Sequence, residues 1–114
     1  MASAAVADSL FISKEELCTA GAIEARTAYK MFAETEKKMP TLTRDEIAES
    51  IRQGIYMRFK EDIKKDDSKI GASFAELKRG WRDRGVTDYL ADQNRPPATY
   101  ERDMYAMCIG FTKK

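Results

Sequence analysis

Lys78, Arg79, Trp81, Arg82 and Arg84 place four cations around one indole within seven residues. Such a set could grip an anion or a phosphate backbone while Trp81 stacks on a base or anchors a protein partner. The spacing also has an ordinary account. Phe74, Leu77 and Trp81 share one helical face, which makes Trp81 a core anchor with the cations on the solvent side. Paired carboxylates are the next candidates. Asp45/Glu49 and Glu46/Glu49 sit on neighbouring helical turns and could share a proton or hold a cation, yet a first turn favours negative charge for its own sake. Asp66-Asp67-Ser68 reads like the start of a calcium loop, but Lys69 and Ile70 break the ligand spacing and the closing Glu is missing.

The composition removes most other chemistry. There is no histidine, so Ser-His-Asp and Cys-His nucleophilic sites, the commonest general base and the commonest transition-metal ligand are all missing. The glycines are scattered and form neither a Walker-type phosphate loop nor a dinucleotide-binding fingerprint. No catalytic residue, metal ligand or cofactor is therefore assigned, and no spacing favours an enzyme built on Asp, Glu, Lys, Tyr or Cys alone. Cys18 and Cys108 are the only thiols, too few for a structural zinc site and too distant for a C-x-x-C motif. Both read as small buried hydrophobes, with a disulfide or a reactive thiol as the alternatives. An oxidising compartment would permit the bridge.

Net charge is +1, from 20 basic and 19 acidic residues, which counts against a dedicated nucleic-acid binder unless charge is segregated by face. The longest apolar runs, such as Leu10-Phe11-Ile12, are too short to span a bilayer. Ala5-Val6-Ala7 has the form of a signal-processing site, but no charged segment or apolar stretch precedes it. A soluble, cytoplasmic protein is expected. An organelle or exported compartment is the alternative if Met1 precedes a processed mature chain.

At 114 residues the chain suits one domain, burying roughly 65% of its unfolded surface. Residues 1–12 read as a flexible N-terminal segment whose Leu10, Phe11 and Ile12 supply contacts, and residues 13–114 as the helical domain. Ser13-Lys14-Glu15-Glu16 is a capping box opening a helix to about Lys38, with Cys18, Gly21, Ala25, Ala28 and Phe32 inward. That row of small residues lets a neighbouring helix approach closely. Thr43-Arg44-Asp45-Glu46 is a second box, followed by the row Ile47, Ile51, Ile55, Phe59 and Ile63, which Ala48 and Tyr56 or Met57 can widen. Ser73-Phe74-Ala75-Glu76 is a third, leading a helix that Gly80 weakens and Gly85 ends. Thr87 to Asp92 suggests a short helix, Asn94 to Pro97 a loop, and Thr99 the cap of a last helix that Gly110 stops. The boxes recur every 30 residues, but their similarity stops after about five, so no repeat is assigned. The expected fold is all-α: a compact single-domain bundle of four to five helices.

Two sets of aromatics bear on partners. Ala28-Tyr29-x-x-Phe32, then Phe74, Trp81, Tyr89 and Tyr100-Glu101-Arg102, resemble the aromatic order of an HMG box. That resemblance implies an L-shaped three-helix fold that bends DNA from the minor groove. The chain departs from it in the long stretch between Phe32 and Trp81, the short one after Trp81 and the near-neutral charge. In the last helix, Tyr100, Met104, Tyr105, Met107, Ile109 and Phe111 cannot all face one narrow stripe, so some are expected to meet another molecule. The aromatic and Met residues, Met31, Phe32, Tyr56, Met57 and Phe59 among them, could instead line an apolar ligand pocket, although such a set is more often plain core.

The function expected is that of a non-enzymatic interaction protein, an accessory subunit or small regulator docking on a larger protein complex. Nucleic-acid binding through the Trp81 cluster is the alternative, and a homo-oligomer is compatible with either. If Leu10, Phe11, Ile12, Tyr105 and Phe111 carry docking, Tyr105→Ser with Phe111→Ser weakens partner binding while the helical circular dichroism signal stays intact. Loss of the helical signal makes them core residues instead.

Overall fold

Two of the three capping boxes begin helices as the sequence predicts. In the computed structural model, Ser13 Oγ accepts the Glu16 N–H at 3.0 Å and the Glu16 carboxylate accepts the Ser13 N–H at 3.3 Å. Thr43 and Glu46 repeat the exchange at 3.1 and 2.8 Å. The bonds from Thr43 hold the Glu46 carboxyl below its ordinary pKa. The structure describes residues 13–92 and 95–112, the side chains of 111 and 112 excepted. It comprises α1 (Lys14–Lys38), α2 (Arg44–Lys65), α3 (Lys69–Ala91) and α4 (Pro97–Thr112), with no strand among the described residues. The flexible segment 1–12, with Leu10, Phe11 and Ile12, lies outside those residues.

The third box is a correction. Ser73 lies inside α3, whose N-cap is Ser68, with its Oγ accepting the Gly71 N–H at 3.0 Å. Asp66 accepts from the Ser68 N–H and hydroxyl at 3.1 and 2.6 Å, which joins α2 to α3 in one tight turn and lowers the Asp66 carboxyl pKa. Gly71 takes the place where a capping box needs Glu or Gln, so the box pattern misses this helix start. Gly85 does not end α3, and Thr87–Asp92 is no separate helix. The helix runs on to Ala91, which leaves four helices rather than five. Pro97, not Thr99, opens α4 as its first residue, where a missing N–H costs nothing, and Gly110 lies within that helix.

The small-residue row of α1 fixes the packing. α1 touches each of the other three helices, α2 touches α1 and α3, and the α4 backbone approaches α1 alone. A Cβ on Gly21 would collide with the Trp81 indole, and one on Gly85 would collide with the Ala25 carbonyl oxygen. α1 and α3 therefore meet where neither helix has room for another carbon. Cys18, Ala22, Ala25, Ala28, Tyr29 and Phe32 are buried on α1, and Ile47, Ala48, Ile51 and Ile55 on α2. Phe59 and Ile63 are half-buried, while Tyr56 and Met57 do not widen that stripe and stand exposed.

Cys18 and Cys108 correct a second expectation: they form a disulfide rather than lying as free buried thiols. Each occupies the inward row of its helix, and the α1–α4 contact brings their Cα atoms to 5.6 Å, the separation a disulfide requires. The bridge closes a loop spanning 90 residues. Restricting the unfolded chain by that much contributes up to about 4–5 kcal/mol.

Gly85→Ala tests the helix contact. Alanine gains about 1 kcal/mol of helix propensity, but overpacking costs typically 1–3 kcal/mol or more, and contact with backbone lies at the costly end. A lower thermal denaturation midpoint is expected. A raised midpoint means that α1 and α3 do not touch there.

Candidate functional site

The cations around Trp81 do not form one open surface. Trp81 is 4% exposed and lies against Gly21, so its indole cannot stack on a base. Each cation has a carboxylate from the same chain. Lys78 Nζ lies 3.5 Å from Asp62 of α2 and Arg82 Nε 2.7 Å from Glu24 of α1. Arg79 pairs with Glu76 and rests 4.9 Å from the Phe59 ring centroid. Arg84 Nε reaches both Asp88 oxygens at 3.1 Å. The four side chains thus fan out, two of them toward other helices. A phosphate would have to displace these internal partners one at a time.

The aromatics of the HMG-like order serve a different structure. Four helices pack as a bundle around α1, in place of three in an L. Tyr100 stacks on Tyr29 with centroids 4.3 Å apart, Tyr29 meets Tyr89 edge-on at 5.0 Å, and Tyr89 stacks on Phe32 at 4.4 Å. Arg44 caps the row with its guanidinium 5.4 Å from the Tyr89 centroid. Every hydroxyl in this ladder is used. Tyr100 donates to the Asp88 carboxylate at 2.6 Å, Tyr89 to the Glu36 carboxylate at 2.7 Å, and Tyr29 to the Asp92 carbonyl at 2.8 Å. Tyr29 also accepts the Arg95 N–H at 3.2 Å. These polar groups are buried and paired, as stability demands, and they converge on no open cavity.

The carboxylates of the first α2 turn do not assemble a metal site. No group of three or more ligand-type side chains exists among the described residues. The apolar excess of α4 is taken up within the chain. Tyr100, Met104 and Cys108 are buried, and Tyr105, Met107 and Ile109 pack half-buried against the same core. Of the residues expected to meet a partner, Tyr105 is half-buried against the core and keeps part of its surface exposed, and the side chains of Leu10, Phe11, Ile12 and Phe111 lie outside the described residues.

The exposed apolar surface lies elsewhere, on α1 and α2. Together with Arg82 of α3 they border a groove of 490 Å³. Ala28, Ile51 and Ile55, buried among the core residues, form its floor. Met31, 47% exposed, stands at its edge. Gly54 lines it as well, and a Cβ there would meet nothing within 4 Å. Glu24, Arg58 and Arg82 gather at one end, while Thr35 and Ser50 mark the other. Met31 is visible in the sequence as a residue able to widen the inward stripe of α1, which the structure instead leaves exposed, and Gly54 as a glycine inside a well-formed helix. What the sequence does not contain is the angle between α1 and α2 that puts them on one groove.

The ladder also sets a pH limit. Burial, ahead of the other causes, raises the Tyr29, Tyr89 and Tyr100 hydroxyl pKa values, that of Tyr89 to about 12. The unfolded value is about 10, so above that pH the unfolded chain binds fewer protons than the folded one. The stability these tyrosines contribute is full below pH ~10 and is lost as pH rises through the folded values. Thermal melts across that range should show a falling midpoint, less steep in Tyr89→Phe. Tyrosinate absorbance should rise in two stages, the later one coinciding with unfolding. An equal slope in the variant removes Tyr89 from the effect.

Compared with known proteins, the chain matches no family model, no curated protein and no solved structure.

Proposed function

We propose that this chain is a non-enzymatic helical interaction protein, an accessory subunit or small regulator, and that it docks on a larger protein complex through the α1–α2 groove. The observation that carries the reading is the groove itself: an apolar floor of Ala28, Ile51 and Ile55 with the exposed Met31 beside it. Concave apolar surface between helices is what a partner's side chains fill. The lining holds one carboxylate, two guanidiniums and a few hydroxyls, with no paired acid and base aimed at a common point. Nucleic-acid binding has less support, because the cations near Trp81 are each engaged by a carboxylate.

The Cys18–Cys108 bridge bears on where such docking happens. Disulfides persist in oxidising surroundings, and this one is buried, with Cys18 0% and Cys108 2% exposed. An organelle or exported compartment therefore suits the chain better than the cytoplasm.

The test is affinity capture from the source organism, with and without nuclease and at high salt, using three forms of the tagged chain. Met31→Glu places a charge at the groove. Ile70→Glu places one at an equally exposed position outside it. A stoichiometric partner held by wild type and Ile70→Glu but weakened about tenfold or more by Met31→Glu is expected. Equal capture by Met31→Glu, or recovery that collapses with nuclease, overturns the reading.

A further inference from the structure

We infer that the occupant of the α1–α2 groove is an amphipathic α-helix of a partner protein, carrying an acidic residue that meets Arg58. The inference rests on the docking reading above and deepens it.

The groove's chemistry selects a helix over an extended peptide. Its walls are helices whose backbone groups are already bonded, and no strand edge exists among the described residues. The hydroxyls that line it are also committed. Thr27 donates to the Ile23 carbonyl at 2.8 Å and Thr35 to the Met31 carbonyl at 2.8 Å. An extended chain laid on Ala28, Ile51 and Ile55 would bury N–H and C=O groups with no partner. A helix brings its backbone bonds with it and offers only side chains.

The dimensions agree. From Glu24 to Thr35 the groove follows α1 for about 16 Å, or three helical turns. Gly54 is a small residue on the α2 wall above the Ala28 floor, and small residues allow helix axes to come close. Gly54 sits in the interior of α2, where glycine disfavours helix, and a Cβ there would meet no described atom within 4 Å. A partner helix lying against it gives that glycine a purpose. α1, α2 and α3 all line the groove, through Met31, Ile51 and Arg82 among others, so the incoming helix completes a four-helix arrangement on the side of α1 that α4 does not cover.

Charge sets the polarity of the occupant. Arg58 and Lys78 both turn to Asp62, at 3.6 and 3.5 Å, while Arg82 takes Glu24 at 2.7 Å. Of the two cations that line the groove, Arg82 is thus held by Glu24, which lines it too, while Arg58 shares Asp62 with Lys78. Arg58 shares its carboxylate and its side chain is 59% exposed against 14% for Arg82, so it is the groove cation that can exchange its internal partner for an acidic side chain of the incoming helix.

The experiment uses the full disulfide-bonded chain and a displayed library of helical peptides about four turns long, in which acidic and basic sequences are equally represented. The expected selection is peptides with apolar residues at i, i+3 or i+4, and i+7, plus an Asp or Glu. Two variants then test the site. Gly54→Leu projects a branched side chain into the groove from a position where the added Cβ meets no described atom within 4 Å. It should raise the melting temperature and weaken the selected peptides about tenfold or more. Arg58→Glu should reverse the preference from acidic to basic peptides. Selected peptides that lack helical periodicity, or that ignore either variant, overturn the inference. So does a wild-type dimer in sedimentation that Gly54→Leu disperses, since the occupant is then a second copy. If Met31→Glu abolishes capture of the cellular partner while no peptide behaves as stated, docking stands and the helical acidic occupant falls. If Met31→Glu leaves capture intact, the docking reading itself has failed.

Discussion

Everything in this fold is arranged around the seam between α1 and α3, where neither helix has room for another carbon. Gly21 lies under the Trp81 indole and Gly85 against the Ala25 carbonyl. Two long helices pressed this closely bury Ala22, Ala25, Ala28 and Val86 completely or nearly so, although none has a large side chain. Small residues contribute little transfer energy each, so the gain comes from dense contact along the seam. The seam also puts Trp81 in the interior, which removes the one residue that gave the basic cluster its recognisable character.

With α3 pressed on α1, α4 lies against α1 and reaches α3 only through side chains, and that helix is held by other means. Its backbone approaches only α1. Three restraints secure it: the Cys18–Cys108 bond, the Tyr29–Tyr100 stack with the Tyr100–Asp88 hydrogen bond, and the Arg26–Glu101 ion pair at 3.1 Å. The exposed ion pair adds little, and the covalent bond adds most. A short helix with one neighbour would otherwise be the first element to open. The tyrosine ladder joins α1, α3 and α4 through rings, while its hydroxyls use the carboxylates and carbonyl beside them.

α2 is placed differently again. It follows α3 more than α1, and the ion pairs from Asp62 to Lys78 and from Arg44 to Glu36 lie at opposite ends of it. The outcome is a wedge whose floor is core and whose mouth is open. The same packing that ties each of the four cations around Trp81 to an acid leaves apolar surface exposed on α1 and α2 among the described residues. Charge that looks concentrated in one dimension is dispersed by the fold, and scattered apolar residues such as Met31 and Gly54 are gathered by it.

Local signals were enough for the all-helical class, the start and end of α1, the start of α2, the main inward rows and the prospect of close approach along Cys18, Gly21, Ala25 and Ala28. Each depends on residues within a few turns, through capping, helical periodicity or side-chain size. The start of α3 escaped because Ser68 caps without a box, and its length because Gly85 reads locally as a stop. That glycine serves a contact 60 residues away in sequence. Tertiary structure alone decided that Cys18 meets Cys108, that Trp81 is interior, that Tyr105 packs half-buried against the core and that a groove opens between α1 and α2. Pairing, burial and concavity are relations between segments distant in the chain, and helical periodicity names the face a helix buries without naming the neighbour that covers it.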